Sequence, residues 1–233
     1  MKHRLIFIIT FLLVTFQGIT QVKPFRFGVK LAPNLSWISP DTEGYEYDDM
    51  QLGFSWGFLA DITLTENYFV KTGFNIDYLI ARLQYEEMRN LSETDPSLTQ
   101  GTLNRKYKLQ YLELPVTLKM RTNRFGDFAF YGEIGFGVAF NLRAKAEDTF
   151  TYNDNNNTLE TEADIKDEIA LVKGSLIIGA GLEYFIDEST TIVTSLIFSN
   201  GLSNILTGDT TVEPIEKQRG QLYSIQLCIG ILF

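Results

Sequence analysis

From Phe25 onward, hydrophobic residues recur at every second position rather than every third or fourth. That period belongs to extended chain with one apolar and one polar face. Eight segments carry it, each about ten residues long or a little more, the length of a tilted strand crossing a bilayer. Residues 25–34 set Phe25, Phe27, Val29 and Leu31 against Arg26, Gly28, Lys30 and Ala32. Residues 53–64 set Phe54, Trp56, Phe58, Ala60 and Ile62 against Ser55, Gly57, Asp61 and Thr63. Residues 69–83 set Val70, Phe74, Ile76, Tyr78 and Ile80 against Lys71, Gly73, Asn75 and Asp77. Residues 107–120 oppose Leu112, Leu114, Val116, Leu118 and Met120 to Tyr111, Glu113, Pro115, Thr117 and Lys119. The pattern continues through 128–142, where Glu133 is on the polar side, and 172–185, where Glu183 is. It is less clean over 191–200 and resumes over 220–233, with Cys228 on the polar side.

The connections alternate in length. Residues 35–52, 84–106, 143–171 and 201–219 read as long polar loops, while 65–68, 121–127 and 186–190 read as tight turns. Short turns at one end and long loops at the other are the habit of membrane barrels. The predicted fold is therefore all-β: an eight-stranded antiparallel up-and-down transmembrane β-barrel.

Alternation alone also fits a soluble, lipocalin-like barrel. The content of the two faces separates them. One face combines glycines with Lys30, Asp61, Lys71, Asp77, Glu113, Lys119, Glu133 and Glu183. Repeated glycine weakens a solvated strand but makes room inside a narrow barrel. The other face is nearly free of charge, a belt too large for a soluble monomer and required in lipid. The eight charged residues are expected to form a paired network filling the lumen, because unpaired buried charges are costly. Eight strands leave an interior that side chains just fill, so no general diffusion channel is expected.

The start and end of the sequence support export. Lys2, His3 and Arg4 precede an apolar run over residues 5–16, with Gly18 and Thr20 placed for cleavage before Gln21. This is a secretory signal over residues 1–20, leaving residues 21–233 as the barrel domain. Cleavage leaves 18 basic residues against 29 acidic ones, a net charge of −11, which disfavours nucleic acid. The sequence ends on Phe233, on the apolar face of the last segment. Such an ending reads as an insertion signal, which makes outer-membrane lipid and the barrel insertion machinery expected partners.

The candidate chemistry is thin. The single histidine, His3, leaves with the signal, which removes Ser-His and Cys-His nucleophiles and His-ligated metals. Cys228 is the only cysteine, so no intrachain disulfide forms. The acid-rich stretch of Asn153–Asn157 with Glu160, Glu162 and Asp164 offers oxygen ligands, but without the spacing of a calcium loop. It reads as a solvated external loop. Tyr45 and Tyr47, among acidic neighbours, read as exposed loop or interfacial girdle. No cofactor, metal or catalytic residue is expected.

Several segments resemble the PorT-like outer-membrane β-barrel family of Bacteroidetes. They are QVKPFRFGVKLAPNLSWI at the first strand, YLELPVTLKMR from Tyr111 to Arg121, GAGLEYFI from Gly179 to Ile186 and FSNGLSNI from Phe198 to Ile205. The resemblance spans nearly the whole mature chain and implies an eight-stranded barrel in the bacterial outer membrane. It implies no activity. The founding member's link to the type IX secretion system does not transfer with the fold. The expected role is non-enzymatic: long external loops displayed for binding or for envelope or secretion-system assembly. A narrow transport channel is the alternative.

Overall fold

The computed structural model describes residues 24–92, 95–152, 157–213 and 215–233. The segment expected to be a signal, residues 1–20, lies outside them. The strands are β1 (Phe25–Pro40), β2 (Glu46–Thr65), β3 (Tyr68–Ser92), β4 (Asp95–Arg121), β5 (Phe128–Tyr152), β6 (Asn157–Asp164), β7 (Val172–Phe185), β8 (Thr191–Gly201) and β9 (Gly220–Leu232). All pairings are antiparallel. The ring runs β4-β3-β2-β1-β9-β8-β7-β5 and closes through β4–β5. These eight strands form the expected barrel. β6 is an additional strand outside the ring, paired with β5 beyond the end of β7.

Closure brings backbones close enough to require glycine in places. At Gly28, on the seam between β1 and β9, a Cβ would lie 1.8 Å from the Ile231 carbonyl oxygen. Gly73 has φ +140°, and a Cβ there would lie 2.0 Å from the Phe58 oxygen. By register, Gly73 faces Pro115 across the β3–β4 ladder. Proline cannot donate to that ladder; its carbonyl accepts from the Thr72 hydroxyl (2.9 Å).

The outward side chains form the apolar belt. Phe27, Leu31, Val116, Phe136 and Leu196 are all more than half exposed, which hydrocarbon tolerates and water does not. On β4 the belt covers only residues 112–120, about the nine to eleven residues a tilted strand needs. Trp37, Phe198 and Tyr223 stack at its long-connection edge (5.6–6.4 Å between centroids), as in an interfacial aromatic girdle.

The long loops expected at 35–52, 84–106 and 143–171 are a correction: β1 runs on to Pro40 and β2 begins at Glu46. β3 and β4 continue as a ladder to Asn90 opposite Leu98. β5 runs to Tyr152, β6 returns along it, and a single 3-10 turn, Lys166–Glu168, follows. Beyond the belt the two faces exchange character. Leu79, Ala81, Leu83 and Tyr85 of β3 point inward and are buried, as are Leu103, Tyr107 and Leu109 of β4 and Ala144, Ala146 and Phe150 of β5. Their outward neighbours, such as Gln84, Glu86, Lys106 and Lys108, are polar. This half is built as a water-soluble barrel, apolar within. A sequence reading that equates strands with an apolar outer face ends them where that face turns polar.

Candidate functional site

The lumen carries its charges in tiers. Nearest the short turns, Lys119 Nζ donates to Asp61 Oδ2 (2.8 Å) and Glu183 Oε1 (2.5 Å). Arg26 Nη2 reaches both carboxylates (2.9 Å each), and Arg121 Nη1 donates to Glu183 (3.1 Å). Glu183 and Asp61 are fully buried. In the next tier Lys71 Nζ donates to Glu133 (2.7 Å), whose second oxygen accepts from the Thr117 hydroxyl (3.0 Å).

The third tier does not pair as expected. Glu113 accepts from Asn75 (3.2 Å) and Ser175 (3.3 Å) rather than from a cation. Lys30 and Asp77 make no ion pair within 4 Å among the described residues. Glu113, Lys30 and the buried Lys173 are the charges that act on Asp77. The network expected of eight residues is thus two ion-paired clusters and a looser group. Arg26, Arg121 and Lys173 complete it. All three carry the inward parity of their strands, so the two-residue period alone places them there.

Between Lys30, Lys71, Glu113 and Glu133 lies a void of about 20 Å³, room for about one water. Leu59, Ile177, Val193, Ile197 and Cys228 also point inward and fill the space between tiers. Cys228 is buried, as a small packing residue would be.

The long-connection end is clasped by a cluster that the sequence reading missed. Arg105 forks onto Asp148 with Nε and Nη2 (2.8 Å each), and its Nη1 donates to Glu168 of the 3-10 turn (2.7 Å). Arg89 of β3 donates to Asp148 and Glu87. Burial works to raise the Asp148 carboxyl, but the hydrogen bonds from Arg105 override it and hold the group below the ordinary aspartate range. Burial pushes the Tyr107 phenol up to about 12.

The connection between β8 and β9 is fastened by Asn204. Its Oδ1 accepts from Leu206 and Gly220, and its Nδ2 donates to the Leu206 and Gln218 carbonyls. Tyr45 is not a free loop residue. It stacks on Tyr85 at 4.0 Å and its hydroxyl accepts from Gln218. Tyr47 is exposed. Of the acidic stretch, residues 153–156 lie outside those described, and Glu160, Glu162 and Asp164 are exposed on β6.

Each end opens into a cavity. At the long-connection end a cavity of about 440 Å³ is lined by Glu43, Glu46, Glu86, Glu213, Glu216 and the two stacked tyrosines. At the short-turn end one of about 740 Å³ is lined by Arg26, Arg121, Arg124, Phe69 and Phe185. Phe233 lies at this second edge. Its amide donates to the Phe27 carbonyl (2.8 Å) and its ring packs 6.3 Å from that of Phe27.

A family model described as "Outer membrane protein beta-barrel domain" matches residues 16–207. No curated protein matches the sequence. Among solved structures, Neisserial surface protein A is similar at 10% identity and TM-score 0.46, covering 90% of this chain and 96% of that one. OprG from Pseudomonas aeruginosa is similar at 12% identity and TM-score 0.45 (90% and 95% covered). Ail, the attachment invasion locus protein of Yersinia pestis, is similar at 16% identity and TM-score 0.40 (91% and 100% covered).

Proposed function

This chain belongs to the outer membrane protein beta-barrel domain family, and we propose that it is a non-enzymatic member that presents its long-strand end outside the cell as a rigid binding platform. Its place is the bacterial outer membrane. Within the family, the PorT-like kind is the reading that the strand motifs favour. The observation that carries the platform reading is the walled outer half. Strands β3, β4 and β5 continue well past the belt around a buried apolar core, clasped by Arg105 and Asp148. Ordering so much chain beyond the lipid costs conformational entropy, and anchoring the barrel in the membrane does not require it.

The rim of this platform is acidic, with Glu43, Glu46, Glu86, Glu213 and Glu216 around the cavity, and Leu98 and Ile215 are exposed there. Opposite charge steers association, so a partner with a basic, partly apolar face fits it, such as another envelope or secretion-system protein. The plugged lumen supports no diffusion pathway.

The test is photo-crosslinking from position 98 in native outer membranes, with accessibility of a Ser97→Cys variant to an impermeant thiol reagent as the check on sidedness. Labelling from outside and a discrete crosslinked protein, lost when Glu86, Glu213 and Glu216 are changed to Gln, are expected. Stable open conductance from purified protein in planar bilayers, or no labelling on intact cells, would refute the proposal.

A further inference from the structure

The apolar belt ends abruptly on the outside of β3, β4 and β5. The rung Ile76–Leu112–Phe140 is wholly apolar. One step toward the long-connection end, Tyr78, Gln110 and Arg143 share a rung, where a bulge lets Arg143 follow Leu142 on the outer face. The next rung holds Ile80, Lys108 and Lys145, and the one after holds Arg82, Lys106 and Glu147. Two of these contacts set like charges directly opposite each other: Lys108 against Lys145, and Arg82 against Lys106. Such pairs destabilise a sheet.

Internal compensation is incomplete. Glu147 answers Lys106 (3.3 Å) and Lys108. Arg82, Arg143 and Lys145 form no ion pair among the described residues. The acids that border the patch are Asp48 and Asp49, in the β2 bulge opposite Arg82, where Asp48 accepts from Asn104 of β4 (3.0 Å); β1, β8 and β9 carry the aromatic girdle at this height. In a chain of net charge −9, five cations against one acid on three adjacent strands is a local feature. Between Tyr78, Ile80, Lys108, Gln110, Arg143 and Lys145 lies a hollow of about 290 Å³.

We propose that this hollow binds the phosphorylated saccharide headgroup of the outer-leaflet glycolipid, an inference that rests on the sidedness given under Proposed function. Side chains that face outward one rung above hydrocarbon meet headgroups rather than bulk solute. Arg143, which lines the hollow, and Arg82, one rung beyond it, supply forked donors suited to phosphate, and Lys108 and Lys145 lose their mutual repulsion when an anion sits between them. Tyr78 offers an amphipathic edge to sugar. Each cation near an anionic lipid surface contributes on the order of a fivefold gain in affinity.

The experiment is native mass spectrometry of the full chain in detergent micelles, titrated with phosphorylated lipid A, the same lipid A after phosphatase treatment, phosphatidylglycerol, and inorganic phosphate as competitor. Wild type should retain phosphorylated lipid A over the dephosphorylated form and phosphatidylglycerol. The combined Arg82→Gln, Arg143→Gln and Lys145→Gln variant should lose roughly a hundredfold in affinity. Its fold is checked by heat-modifiable migration on gels. Glu147→Gln, which frees Lys106 and Lys108, should bind more tightly than wild type and supplies a second reading that does not depend on the triple variant. Equal retention by the triple variant, equal retention of the dephosphorylated lipid or of phosphatidylglycerol, or displacement by millimolar inorganic phosphate would each overturn the proposal. Lipid binding in micelles is independent of orientation. Intact lipid selectivity with Ser97→Cys unlabelled on whole cells would therefore fault the sidedness alone, and with it the leaflet assigned here.

Discussion

Glu183→Gln should destabilise the barrel more than Lys119→Met, although both remove a buried charge from the same cluster. Glu183 faces Lys119 at 2.5 Å, Arg26 at 2.9 Å and Arg121 at 3.1 Å. At an effective dielectric of about 20, one close pair contributes roughly 4 kcal/mol of gross attraction. Neutralising Glu183 therefore forfeits on the order of 10 kcal/mol and recovers the desolvation of one carboxylate, several kcal/mol. It leaves three cations around Asp61 alone. Arg26 and Arg121 are slightly open to the mouth, with side chains 11% and 13% exposed, and water there screens part of the repulsion. The net cost expected is about 3–5 kcal/mol. Lys119→Met removes two attractions, but Arg26 still bridges Asp61 and Glu183, and the three-to-two excess of cations becomes an even balance. Its cost should be about 1–2 kcal/mol on the same accounting. The assay is urea unfolding in phospholipid vesicles, followed by the fluorescence of Trp37 and Trp56. A Glu183→Gln loss below about 0.5 kcal/mol, or Lys119→Met the more damaging of the two, would refute the assignment of Glu183 as the hub.

Two further outcomes follow from the same geometry. Phe136→Arg, at an outward belt position 62% exposed, should cost about 2–4 kcal/mol in vesicles, whereas Thr149→Arg, outward beyond the belt, should stay within about 0.5 kcal/mol; equal effects would mean that the belt does not face hydrocarbon. Because the Asp148 carboxyl is held below its ordinary value of 3.8, its contribution is present at and above that pH and is lost as pH falls through the lower folded value. The stability gap between wild type and Asp148→Asn, about 2 kcal/mol at pH 7, should therefore close on acidification in urea titrations, and a gap that widens would contradict the clasp.

The ring was legible because hydrocarbon leaves the chain little choice. Every belt strand must alternate, and the alternation from Phe128 to Leu142 fixes which side of β5 meets lipid. The inward charges were legible by parity alone, which is why Lys30, Lys71 and Glu133 lie inside as their positions require. Pairing was not legible, since it depends on which strands face each other across the lumen. Glu113 meets Ser175 on β7, and Lys119 meets Glu183 on β7 and Asp61 on β2. The strand ends failed for a different reason. Leu103, Arg105, Tyr107 and Leu109 alternate as cleanly as Leu112, Leu114 and Val116, but with the sides exchanged, and the exchange resembles the end of a strand when only one solvent is considered. β6 carries no apolar stripe at all. Its eight residues are all exposed, and only its ladder to β5 makes it a strand.

That exchange of sides also bears on what the protein is built to do. A conducting barrel needs a continuous wet path, yet the cavities at the two mouths are separated by ion-paired tiers and by apolar side chains from β2, β7, β8 and β9. Opening such a path would leave Glu133 or Glu183 without its cation, a cost of several kcal/mol per charge. Binding at a rim requires no such opening. The acidic cavity among Glu43, Glu86 and Glu213 is already formed, held in place by the Arg105–Asp148 clasp and by Asn204. A preformed surface spares a partner part of the ordering cost of association. On the platform reading proposed above, the clasp and the lumen network serve one end: both fix the shape of the strands that carry the rim.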